Sequence, residues 1–139
     1  MTPETLIQLA QEAMTHAYAP YSRYCVGAAI LTADGRVYQG CNIENAAFSP
    51  TVCAERSAIF KAVYDGVREF TAIAVVGGKN GTISGTFPPC GVCRQVLREF
   101  CGDDLTVYLG GAGGSYEVRT LAQLLPDSFS AAGYMQDYD

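Results

Sequence analysis

The segment FTAIAVVGG, residues 70–78, contains no polar side chain after Thr71. A strand with one wet face alternates apolar and polar positions, whereas an unbroken apolar run of this length fits a strand covered on both faces. Residues 70–76 are therefore read as a central strand, closed by Gly77. Beyond it, GGKNGTISGTFPP is a flexible glycine-rich connection; it lacks the GK[ST] ending of a phosphate-binding loop. Pro88-Pro89 sets extended geometry before a helix over 90–100, with Val92, Val96, Leu97 and Phe100 on its apolar side and Gly102 as C-cap. A strand over 105–109, a GGAGG turn, an edge strand over 116–119 and a short helix capped by Thr120 and stopped at Pro126 complete this half.

Working back from the central strand, Ala54, Ala58, Ile59, Ala62 and Val63 fit a buried helix that starts after Thr51. The polar loop NIENAAFSP precedes it. Before that, residues 24–33 and 36–41 form a hairpin around Asp34-Gly35, a strong turn signal. At the amino terminus Thr2 and Pro3 supply an N-cap and a first helical residue, and Leu6, Leu9, Ala10, Ala13, Met14 and Ala17 recur on one helical face until Pro20. Each βαβ crossover must lay its helix on a sheet face, so this order predicts a single domain over 1–139: a three-layer α/β/α architecture around a mixed sheet of about five strands.

Composition narrows the function. The net charge of -5 repels phosphate backbones, and no basic block overrides it, so nucleic acid and anionic membranes are poor partners. Charged residues make up only 17%, below the ~25% of an ordinary soluble domain, and apolar residues continue into the tail, which predicts a surface that meets a partner. The amino terminus carries Glu4, lacks a basic stretch and shows neither an export signal nor a membrane span. A cytoplasmic location follows, where thiols stay reduced, and the six cysteines are read first as metal ligands, catalytic thiols or buried small residues.

Cys90 and Cys93 lie one turn apart at a helix start, where unpaired amides and the macrodipole favour thiolate. Alone, the pair fits structural zinc, redox chemistry or catalysis. Cys53 has the same setting on the other central helix, two residues before Glu55. Three thiolates meeting there would hold one Zn2+ per chain and leave a tetrahedral position for water, the composition of a catalytic site, with Glu55 beside that water to take and return its proton. Three thiolates on one dication leave a net negative charge, and Arg56 and Arg94, each directly following a site residue, are expected to compensate by donating hydrogen bonds to sulfur. Cys25, Cys41 and Cys101 read as buried small residues, with Cys41 the candidate fourth ligand of a closed site; His16 is assigned no chemistry.

Cys53-Ala54-Glu55 together with Pro89-Cys90-Gly91-Val92-Cys93 resembles the zinc-dependent cytidine deaminases, with three cysteines in place of His/Cys/Cys. The likeness extends to YAPYSRY at 18–24, VGAAILTADGRVYQGCNIENAAFS at 26–49, CAERSAIFKAV at 53–63, PCGVCRQVL at 89–97 and LLPDSF at 124–129. It implies hydrolytic deamination of cytidine and 2'-deoxycytidine in pyrimidine salvage by a homotetramer with shared active sites. In that family Asn42 and Glu44 would hold the ribose hydroxyls, and Glu44 would repel a 5'-phosphate, favouring an unphosphorylated nucleoside. Tyr24, commonly phenylalanine in the family, would line the base pocket, and Phe129 would pack on the base from a neighbouring subunit. Ala46 and Ala54 would contribute through their backbones. Phe48 departs from the tyrosine of many relatives and lacks its hydroxyl. Three rivals stand beside this reading: a deaminase of a cytosine antibiotic such as blasticidin S, a zinc-stabilised interaction module with a closed four-cysteine site, and a thiol oxidoreductase.

Overall fold

The computed structural model describes residues 1–131. Helix α1 (Pro3–Met14) starts as predicted, with the Thr2 hydroxyl accepting the Thr5 amide at 3.1 Å and proline at the first helical position. Strands β1 (Tyr24–Thr32) and β2 (Val37–Cys41) form the antiparallel hairpin, its turn made by Gly35 in the left-handed region. After the polar loop come helix α2 (Ala54–Tyr64), strand β3 (Phe70–Lys79), helix α3 (Gly91–Phe100), strand β4 (Thr106–Gly110), strand β5 (Tyr116–Thr120) and the short helix α4 (Leu121–Leu124). Thr120 and Gln123 cap α4 reciprocally.

The five strands lie in the order β2-β1-β3-β4-β5, with β3 and β4 parallel and the other neighbours antiparallel. The α1 side chains Leu6, Ile7, Ala10 and Met14 pack on one face against Ala29, Ala72, Ala74 and Val76. On the other face Ala54, Ala58, Ile59, Leu97 and Leu121 meet Ala28, Ile30, Ile73, Val75 and Val107. Residues alternating along β3 thus enter opposite clusters, which is why its sequence carries no polar alternation. The result is the expected three-layer α/β/α sandwich.

Helix α1 ends at Met14, with Thr15 as its C-cap, three residues short of Ala17. Three further details differ from expectation. Strand β3 runs past Gly77 to Lys79, because β1 pairs with it as far as Tyr24 opposite Lys79. Its glycines serve close approach rather than termination: a Cβ at Gly78 would lie 1.9 Å from the Thr82 carbonyl oxygen, so only glycine lets the following loop fold back on the strand. Gly102 does not cap α3, which ends instead at Cys101 in an extended conformation, its side chain packed against the core. Finally, Val92 is 58% exposed; Cys93 and Leu97, at i and i+4, define the inward face of α3, and Val92 falls one residue off it.

Candidate metal centre

Helices α2 and α3 both begin on a cysteine. Cys53 and Cys90 occupy their N-cap positions with extended backbones, and neither side chain caps its helix. Both sulfurs are thereby left to face each other. Cys53 Sγ lies 3.7 Å from Cys90 Sγ, which lies 3.5 Å from Cys93 Sγ. A tetrahedron with zinc–sulfur bonds of about 2.3 Å has edges of about 3.8 Å, so the trio is spaced to bind a metal ion. Among the described residues no fourth His, Cys, Asp or Glu joins the cluster, and Cys41, the candidate fourth ligand, is not part of it. The closed four-cysteine site of an interaction module therefore has no support in the described residues.

Glu55 sits one residue into α2 and is 3% exposed. Its Oε1 is buried without a hydrogen-bond partner. A buried carboxylate oxygen left unpaired is costly and calls for a functional explanation. Burial first, and then the charge of Cys53, push its pKa up to about 7, into the range where a carboxyl can both take and give a proton near neutrality. Within the cysteines, the hydrogen bond with Cys93, followed by those from Arg56 and Cys90, holds Cys53 down to about 5; the same bond and burial push Cys93 up. A cation arriving among these sulfurs would meet a ready thiolate at Cys53 and displace the proton of Cys93.

Arg56 behaves as expected: its Nη2 donates to Cys53 Sγ at 3.3 Å. Replacing it by alanine is expected to keep the zinc while lowering turnover by about 10- to 100-fold; metal analysis alongside steady-state rates checks this, and unchanged turnover would remove charge compensation from the picture. Arg94 departs from expectation. It donates from Nε to the Pro89 carbonyl and from Nη1 to the Leu124 carbonyl, both at 2.7 Å, and not to sulfur. At the fourth position of α3 its reach runs along the outside of the first turn, toward α4.

The NIEN loop is tied to this centre by backbone pairing: Ile43 and Val52 exchange amide–carbonyl bonds at 2.9 and 3.0 Å, which sets Asn42 and Glu44 beside the strand-like entry to Cys53. Asn42 is buried and makes no local Asx turn. It accepts from the Val26 amide at 2.9 Å and donates to the Tyr24 carbonyl at 2.7 Å, fixing the start of β1. Asn45 does make such a turn, accepting from the Ala47 amide. The Glu44 carboxylate accepts from the amides of Tyr21 and Ser22 at 2.9 and 3.0 Å and from the Ser22 hydroxyl, and these bonds, the hydroxyl's first, lower its pKa. Sequence reasoning reads Tyr21 as loop packing and gives neither it nor Ser22 a role at the site; the one signal for Ser22 is that a loop serine commonly bonds to nearby polar groups. Tyr24 lies beside Phe87, ring centroids 6.3 Å apart, and Phe87 is three residues before Cys90. Phe48 takes a left-handed backbone and packs edge-on to Tyr21 at 5.9 Å; Ala46 is exposed beside it. Ala54 is buried at the first position of α2, where a backbone N–H has no acceptor within the helix. Phe129 lies on the 125–131 segment and its side chain is 67% exposed.

A family model for the cytidine and deoxycytidylate deaminase zinc-binding region matches residues 1–109. The chain belongs to that deaminase family. It is 53% identical over 130 residues to a cytidine deaminase of Sporosarcina psychrophila, a match covering 94% of this chain and 93% of the relative. It is 48% identical over 131 residues to one of Halalkalibacterium halodurans, covering 94% and 96%. Among solved structures, the cytidine deaminase of Burkholderia pseudomallei superposes with a TM-score of 0.86 at 47% identity over 93% of this chain and 100% of that one, and the Mycobacterium tuberculosis enzyme with 0.78 at 40%, over 93% and 98%. The three-sulfur cluster lies within the residues that model matches, and the sheet belongs to the fold shared with those structures.

Proposed function

We propose that this deaminase replaces the exocyclic amine of cytidine and 2'-deoxycytidine by oxygen, releasing uridine or 2'-deoxyuridine and ammonia, and serves pyrimidine salvage in the cytoplasm. The observation that carries the proposal is the unpaired, buried Glu55 oxygen two residues from Cys53. Cys53, Cys90 and Cys93 hold the zinc. Bound there, the metal supplies an acidified water. Glu55 would take one proton from that water and pass it to the ring nitrogen N3, and would then carry the second, from the hydroxyl left on C4, to the amine that departs as ammonia; its pKa near neutrality suits both directions of transfer. Arg56 lowers the negative charge on Cys53. The Ala54 N–H orients the incoming oxygen. Asn42 and the preset Glu44 carboxylate receive the sugar hydroxyls, with Ala46 and Phe48 along the same loop, and Tyr24 and Phe129 enclose the base.

A homotetramer with shared sites accounts for the exposed aromatic surface. A groove of 690 Å³ on the outer side of α2 is lined by Ile43, Glu44, Val52, Phe60 and Tyr64, the last 91% exposed, and touches none of the cysteines. Its exposed aromatic side chains suit a protein contact. The cytoplasmic assignment is supported by six cysteines of which none is joined in a disulfide. No helix among the described residues is long and apolar enough to cross a membrane.

Steady-state assays on cytidine, deoxycytidine, CMP and blasticidin S, read by the absorbance change on deamination and paired with zinc analysis, test this function. Turnover on both nucleosides with about one zinc per chain is expected, and at least about 100-fold less on CMP, because a carboxylate at the sugar repels a 5'-phosphate. Preference for blasticidin S would shift the assignment to the antibiotic-directed branch. Zinc binding without any ammonia release would overturn it.

A further inference from the structure

The two residues that follow the last sulfur ligand both reach away from the metal centre and toward the C-terminal segment. Arg94 bridges the Pro89 carbonyl, directly before Cys90, and the Leu124 carbonyl at the end of α4. Gln95 Nε2 donates to the Phe129 carbonyl at 2.9 Å. Residues 126–130 lie in neither helix nor strand, and Asp127 within them takes a left-handed backbone, so their course is set by what holds them from outside. Two ties from one turn of α3, five residues apart, reach the end of α4 and this segment and act on both its position and its direction. The Phe129 ring remains 67% exposed while its own carbonyl is held, an arrangement that presents the ring rather than burying it.

We propose that Gln95, supported by Arg94, is a positioning residue that sets the Phe129 ring against the base bound by a neighbouring subunit, so that the helix bearing two zinc ligands of one site also fixes a wall of the next subunit's substrate pocket. The inference rests on the base-enclosing role given to Phe129 above. A ring packed on the pyrimidine contacts ground state and transition state alike, and its misplacement therefore raises KM and leaves the chemical step nearly intact. Gln95 itself is exposed, and its replacement does not disturb the core.

Steady-state kinetics on cytidine with the zinc-loaded, full-length enzyme test this in a cycle of Gln95→Met, Phe129→Ala and the double variant. Gln95→Met keeps the side-chain length and removes the donor. It is expected to raise KM about fivefold, the scale of one neutral hydrogen bond, with kcat within about twofold and zinc content unchanged. Phe129→Ala is expected to raise KM further, and the double variant to match Phe129→Ala alone, because both changes act through one ring. Hydrogen exchange of peptides spanning 125–131, an activity-independent readout, is expected to speed up in Gln95→Met. If Phe129→Ala raises KM and Gln95→Met does not, or if the two effects add, the positioning role is wrong and the base wall stands. An unchanged KM in Phe129→Ala takes down both.

Discussion

Glu55→Gln is expected to retain about one zinc per chain and to lose kcat by about 10³- to 10⁴-fold, with KM for cytidine changed by no more than about threefold. Glutamine matches glutamate in volume, so the buried start of α2 need not rearrange. What disappears is an oxygen able to carry a proton. The parent carboxyl has one oxygen with no protein partner and a pKa raised chiefly by burial, and nothing else among the described groups at the cluster combines those two properties. Metal analysis of the purified variant separates loss of chemistry from loss of the site. A variant that turns over within about tenfold of the parent would mean that the proton travels by another route.

Gly40→Ala is expected to destabilise the protein by about 3 kcal/mol, at the upper end of the cost of overpacking, and to lower its melting temperature by about 10 °C. A Cβ at Gly40 would stand 2.4 Å from the Ala58 nitrogen and 2.5 Å from the Ala54 carbonyl oxygen, both backbone atoms of α2. Backbone cannot swing aside as a side chain does. The helix would have to lift from the hairpin, and Cys53 and Glu55 would lift with it, so weaker zinc retention is expected alongside the lower melting point. Gly35→Ala provides the contrast: its φ of +92° strains an alanine, but nothing lies within 4 Å, so the cost is limited to about 1–2 kcal/mol of backbone strain. Thermal unfolding of the two variants side by side decides this, and a Gly40→Ala protein melting within about 3 °C of the parent would show that α2 tolerates the displacement.

Most of the architecture was readable from the chain because its signals are local and agree with one another. Asp34-Gly35 marks the hairpin, Thr2-Pro3 marks the first helix, and the apolar run from Phe70 could be satisfied only between two layers. The three cysteines and Glu55 were legible for a different reason: few chemistries need thiols at two helix starts with a carboxylate two residues on. What escaped was whatever depends on contacts distant in sequence. Nothing local tells Gly77 and Gly78 that a returning loop will lie on them, so they read as a terminus. Arg94 stands next to a ligand in sequence, but its helical position turns its fork toward Pro89 and Leu124, a carbonyl 30 residues away. Glu44 was legible as a carboxylate in a polar loop, yet the Ser22 and Tyr21 amides that preset it lie in another loop.

The contrast between the helix starts has one more consequence. Threonine hydroxyls finish α1 and α4, whereas α2 and α3 begin on sulfurs that cap nothing, each forgoing about 1 kcal/mol that a serine or aspartate would provide. Among these four helices, only the two that meet at the cluster lack this local reinforcement. Cation capture is thus woven into the folding equilibrium: the sheet and outer helices are specified by the chain itself, while the two inner helical origins are completed by an ion taken from solution, and occupancy and conformational integrity rise or fall together.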